Sequence, residues 1–338
     1  MRNWLPCLFV SFLFFLSSCG NKKKTPDVSS IKVNLAVDRL DIAIFSLDTL
    51  HAETALNTLE QKYPAFLNDY LYNILALPPQ KDSMLPMLTS FIREYRPVYD
   101  AAQHSFRDLL PVTRELRQGL QFLKYYFPRY KAPEKMITFI GPVDGYGNVL
   151  TRNAFAVGLQ LYLGKNSPLY QTEMVSNTYP AYQSRRFEPS YIAANCMKNV
   201  LNDMYPETSH SRTLSETMVD QGKRLYALDL LLPYTADSVK TGYTAAQLEG
   251  CYQHEAMIWN FFVQNNLLYV SDPFMIRDYV NDGPNTAVLG AEAPGDIAMF
   301  TGWQIVKKWM GENPKTTLQQ MMETDPAKIF QEAKYKPR

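Results

Sequence analysis

The stretch Thr244 to Phe262, TAAQLEGCYQHEAMIWNFF, constrains the fold more than any other in the chain. Thr244 followed three residues later by Gln247 is a capping-box signature, which marks a helix start. From there Leu248, Cys251, Tyr252, Ile258, Trp259 and Phe262 recur at helical spacing, so one face is apolar and must be buried. Glu255 falls on that same face. A carboxylate turned towards a core is costly unless it is paired, protonated or bound to something. The spacing predicts one core helix with a structural Glu255 that links it to a neighbouring helix. Lys223, in the preceding predicted helix, is the first candidate partner, because helices joined by a turn usually pack antiparallel. Arg224 and Tyr226 are alternatives on other faces. With His254 and Asp220 nearby, the candidate buried polar cluster is Glu255, His254, Lys223 and Asp220.

His254-Glu255 is also the first half of H-E-x-x-H. That zinc motif needs a second His one helical turn on, where this chain has Ile258. The two side chains cannot chelate from one face, so no metal and no catalytic residue is expected there. The chain has only His51, His104, His210 and His254, too few for a His-rich metal site, and no cofactor is expected. Formal net charge is +1, which gives no basic field for nucleic acid.

Met1 to Cys19 reads as a targeting segment. Arg2 supplies the positive start, and the apolar run Trp4 to Leu16 is too short for a permanent membrane span. It ends in Leu16-Ser17-Ser18-Cys19, which resembles the lipobox of bacterial lipoprotein signal peptides. The resemblance implies cleavage before Cys19 and acylation of Cys19, a membrane anchor firmer than one myristoyl chain. Residues 1–18 are then a signal peptide, 19–30 a lipidated polar tether with Lys22 to Lys24, and 31–338 one globular domain. Gly20 follows Cys19, where an Asp would resemble an inner-membrane retention signal. No acidic run of the kind seen in surface-exported lipoproteins follows. The expected location is the cell envelope, in the outer membrane and facing the periplasm. Cys196 and Cys251 remain, open either to one disulfide or to two buried thiols.

Alternation predicts strands at Ile31 to Leu40, Lys135 to Ile140 and Ala154 to Leu163, the last two as a hairpin across the turn cluster Asp144 to Asn148. Helices are expected at Leu47 to Lys62, Ala65 to Leu75, Ser83 to Asp100, Ala101 to Leu110 and Val112 to Tyr126. Further helices are expected at Ser190 to Tyr205, Leu214 to Leu232, Pro273 to Asn281, Asp296 to Met310, Thr316 to Met322 and Pro326 to Lys334. Thr213 with Glu216 is a second capping box. Gly222 inside that helix costs about 1 kcal/mol relative to Ala, which points to close packing. The stretch Ser167 to Phe187, with Tyr170, Tyr179, Tyr182, Arg185 and Arg186, reads as an irregular crossover.

Six strings occur in order: Asp38-Arg39-Leu40-Asp41 with Phe45, Lys62-Tyr63-Pro64-Ala65-Phe66, Tyr162-Leu163-Gly164, Gly222-Lys223-Arg224-Leu225-Tyr226, Gly302-Trp303-Gln304-Ile305-Val306 and Lys334-Tyr335-Lys336-Pro337. With the lipobox they resemble the GldB gliding-motility lipoprotein family of Bacteroidetes. That family is similar to a group of peptidase-like proteins carrying the zinc motif H-E-x-x-H. Their zinc helix would fall near Ala193 to Asn199, which reads AANCMKN, and a downstream Glu-Gly pair would correspond to Gln221-Gly222. The resemblance implies a mainly helical α+β domain with a small β-sheet, a degenerate zincin-like scaffold without zinc. The implied role is non-enzymatic support of gliding or surface machinery, through envelope protein partners and a membrane anchor on Cys19. The rivals are a metal-dependent or other hydrolase on that scaffold, using Glu255, Asp220 and His254, and a ligand-binding lipoprotein using the tyrosine-rich crossover.

Overall fold

The computed structural model describes residues 25–206 and 212–337. The signal segment and Cys19 lie outside the described residues. Most described residues are helical, around a four-stranded sheet: β1 (Ala36–Arg39), β2 (Lys135–Phe139), β3 (Asn148–Leu150) and β4 (Ala154–Gly158). The sheet order is β1-β2-β4-β3. This is a mainly helical α+β fold, as the sequence implies.

The strands differ from the expectation in two ways. β2 and β4 do not form a hairpin; they pair in parallel, with Lys135 opposite Ala154. The chain between them turns at Pro142–Gly145 and returns as β3, antiparallel to β4, with Asn148 opposite Val157. Every residue of β4 (AFAVG) is buried, the pattern of a strand covered on both faces. β3 has only three residues, too few to show a period. β1 is also shorter than the alternation suggests. Its pairing begins at Ala36 opposite Lys135, where β2 itself begins, and Leu40 already opens the helix Leu40–Phe45.

Near the sheet, Arg39 and Asp41 form an ion pair. Asp41 is buried and takes Arg39 Nη2 at 2.6 Å, Gln103 Nε2 at 2.9 Å and Thr138 Oγ1 at 2.5 Å. Each lone pair is used, so the buried charge is compensated. The expected boundary between Asp100 and Ala101 falls instead at Tyr95, between the helices Lys81–Glu94 and Arg96–Ser105. Pro97 fits this boundary, since proline is favoured in a helix's first turn, where its missing N–H costs no helical hydrogen bond.

The largest helix–helix contact joins Leu214–Leu231 to Ile297–Glu312. Both expected capping boxes are present, Thr213 with Glu216 and Thr244 with Gln247. The single helix expected from Thr244 to Phe262 is instead two, Ala245–Gln253 and Glu255–Gln264, broken at His254 (φ −110°, ψ 18°). Gly250 weakens the last turn of the first. The break lets each half turn its own residues inward, Leu248 and Cys251 from one, Ile258 and Phe262 from the other. Cys196 and Cys251 are buried free thiols, not a disulfide. No helix among the described residues is long and apolar enough to cross a membrane.

Candidate functional site

The four residues of the expected polar cluster make no hydrogen bond or ion pair to one another, although the charge of Asp220 acts on Lys223 one turn along the same helix. Lys223 is buried, but its ammonium donates to the Thr324 carbonyl at 2.8 Å. Burial pushes its pKa down to about 8. Glu255 is half-buried and accepts from the Tyr335 hydroxyl. Asp220 pairs with Arg212 at 3.1 Å and Arg224 at 3.4 Å, and His254 is exposed at the helix break. The expectation assumed that consecutive helices pack as a pair. The Leu214–Leu231 helix packs chiefly on Ile297–Glu312 and Pro326–Ala333 instead.

A cleft forms elsewhere, between the edge strand β3 and the helix Ile192–Met204. That helix buries Ile192, Ala193, Cys196, Met197, Val200 and Leu201. The opposite stripe, Asn195, Lys198, Asn199 and Asn202, is spaced i, i+3, i+4, i+7 and lines the cleft. The crossover supplies Tyr179, Gln183, Arg186 and Phe187. It holds three short helical turns, Pro168–Gln171, Glu173–Thr178 and Ala181–Ser184, rather than wholly irregular chain. Arg185 ties it down through the Gly242 carbonyl at 2.9 Å and Gln247 Oε1 at 3.1 Å. Gly242 sits at φ 77°, which a side chain rarely adopts.

The cleft comprises two adjoining cavities. One of about 520 Å3 lies against the crossover, and one of about 670 Å3 runs along β3 beside Phe66, Asp69 and Arg152. Asn148, Asn199 and Asn202 line both. A hydrogen-bonded chain fixes the wall: Asn195 Nδ2 donates to the Tyr162 hydroxyl at 2.8 Å, which donates to Asn148 Oδ1. Asn148 Nδ2 in turn reaches Cys196 Sγ at 3.4 Å. Burial raises the Tyr162 phenol and pushes the Cys196 thiol up to about 12, so both stay protonated near neutral pH.

Two cations flank this wall. Arg186 is held by Asp282. Lys198 is half-buried and makes no hydrogen bond or ion pair to a described residue. Burial, with Arg186 nearby, pushes its pKa down to about 8. No group of three or more His, Cys, Asp or Glu that could hold a metal occurs among the described residues. The polar groups lining the cleft are amides, phenols, the Lys198 ammonium, the Arg152 and Arg186 guanidinium groups and the Asp69 and Asp203 carboxylates. They can bind and orient a polar guest, and Lys198, brought down to about 8, can exchange its proton near neutral pH. Sequence reasoning missed this stripe because it weighed titratable groups; the signal was the run of Asn195, Lys198, Asn199 and Asn202 on the polar face of one helix.

The fold and the cleft define a mainly helical α+β protein with a preformed, amide-rich groove. The model of the gliding motility protein GldB matches residues 21–337, and the chain belongs to that family. No curated protein and no solved structure matches it.

Proposed function

We propose that this gliding-motility-associated lipoprotein acts without catalysis, holding a partner or ligand in the cleft in support of gliding or surface machinery. It is anchored through lipid on Cys19 in the outer membrane and faces the periplasm. The observation that carries the reading is the chemistry of the cleft wall. Asn148, Asn195 and Asn199 are carboxamides, and Cys196 and Tyr162 are held protonated. A zincin-like scaffold is part of the same reading: the resemblance places the zinc helix near Ala193 to Asn199, within the helix that lines this cleft. The pairing of β3 on the edge of the sheet with this helix beneath it supports that reading.

The test is complementation of a strain lacking the gene. Wild-type protein restores motility, and Cys19→Ser, which cannot be acylated, does not. Asn195→Ala with Asn199→Ala, still folded and still in the envelope, loses motility if the cleft binds. Peptide hydrolysis by the wild type that the double variant abolishes would instead establish the hydrolase.

A further inference from the structure

We propose that the cavity beside the crossover binds a hydroxylated organic anion of monosaccharide size, its acidic group seated on Lys198. The inference rests on the binding reading of the cleft and names the chemistry of the guest.

Three observations meet there. Lys198 carries three donors into the cavity, and no described residue accepts any of them. The ammonium opens onto the cavity with no described residue accepting from it, so its donors are left for an incoming anion. Arg186 lines the same cavity and adds positive potential. The acids that face Lys198 do not cancel this. Asp282 is engaged by Arg186. Asp296 is enclosed, and burial raises its carboxyl well above the usual range, towards the neutral form.

The rest of the wall describes the guest's other end. Tyr179 and Phe187 meet edge to face, with centroids 5.0 Å apart, and Tyr191 adds a third ring. Asn195 and Asn199 set carboxamides beside these rings. Aromatic surface beside amide donors and acceptors suits a ring with one apolar face and several hydroxyls. A volume of about 520 Å3 admits such a ring with its hydration. The acidic group is a carboxylate or a phosphate, and the two are separated by experiment.

The experiment is calorimetric titration of the acylated protein in detergent with glucuronate, glucose 6-phosphate, glucose and inorganic phosphate. At least one sugar acid binds, and glucose binds roughly tenfold more weakly or worse, the difference one charge-assisted hydrogen bond makes. Lys198→Met removes that preference by a similar factor while Lys198→Arg keeps it. The wild type loses affinity as pH rises from 7 to about 9.5, because the ammonium deprotonates through its value of about 8. This pH series needs no variant, and so stands even where Lys198→Met fails to fold. Equal binding of glucose and its acids removes the anion from the proposal and leaves the cleft a binding site. Binding of inorganic phosphate as tight as that of either sugar acid means an adventitious ion only. No binding by any probe, or Lys198→Met unchanged, overturns the assignment of Lys198.

Discussion

Gly222 and Gly302 touch backbone to backbone where the helices Leu214–Leu231 and Ile297–Glu312 cross. A Cβ on Gly222 would stand 2.2 Å from the Gly302 carbonyl carbon, and one on Gly302 would stand 1.6 Å from the Met218 carbonyl oxygen. Separating the helices is costly, since each buries a long stripe: Met218, Val219 and Leu225 on one, Phe300, Trp303 and Val306 on the other. Nearby, Trp303 Nε1 donates to Asp229 at 2.7 Å, and Asp229 also takes Lys240 at 2.6 Å.

Alanine at either glycine therefore forces the helices apart. Gly222→Ala is expected to lose stability at or above the upper end of roughly 1–3 kcal/mol, the usual range for overpacking. Gly250→Ala is the contrast. It lies inside a helix with nothing within 4 Å of its Cβ position, and should gain about 0.5–1 kcal/mol. Urea melts of the two variants measure both. A neutral Gly222→Ala would mean the helices do not cross there.

Gly222 was legible because a glycine in a helix interior is unfavourable unless something requires it. The capping boxes at Thr213 and Thr244 were legible for a similar reason: their side chains answer to backbone three residues away. What depended on distant chain was not. Glu255 finds its partner eighty residues on, at Tyr335, and no local pattern points there. β3 is recognisable only through its pairing with β4. The cleft stripe consists mostly of amides, which are common on any polar helix face. Its meaning comes from the crossover folding over it.

Glu255 and Tyr335 should show measurable coupling. Tyr335 is buried, its ring stands edge-on to Trp259 at 5.0 Å, and its hydroxyl donates to Glu255. Burial and the Glu255 carboxylate hold the phenol well above its ordinary range, so it remains a donor at all ordinary pH. Glu255→Gln, Tyr335→Phe and the double variant form a cycle whose coupling should be about 1–2 kcal/mol. Lys223→Met should show no coupling to Glu255→Gln. A coupling between Lys223 and Glu255 as large as that with Tyr335 would restore the ion pair that the sequence suggested.

The two thiols should be inert in the native state. Burial pushes Cys196 and Cys251 each up to about 12, so almost no thiolate exists near neutral pH. Iodoacetamide should modify neither in the folded protein and both after denaturation without reductant. Protection that persists in denaturant and disappears with a reductant would reveal a disulfide.

Asp296 should be a neutral carboxylic acid whose ionisation weakens the fold. It caps the helix Ile297–Glu312 in the left-handed region, at φ 55°. Its Oδ1 is enclosed and lacks a partner, and so is Gln221 Oε1. Gln221 gives one of its two amide N–H groups to the Val280 carbonyl at 3.0 Å. A hydrogen bond from Gln221 to the Asp296 side chain lowers the carboxyl's pKa, but burial outweighs it. A protonated Asp296 can donate towards Gln221 Oε1, which an ionised one cannot. Burial raises its pKa well above the ordinary carboxylate value. The native state therefore holds this proton more tightly than the unfolded chain. The stability this contributes is complete below about pH 4 and is lost as pH rises towards the raised folded value. Asn at this position supplies the donor permanently and tolerates the left-handed backbone. Asp296→Asn should melt above the wild type at pH 7 to 8, with the gap closing as pH falls towards about 4. A gap independent of pH, or a variant less stable at pH 8 than at pH 4 relative to the wild type, would show that Asp296 is ionised in the native protein.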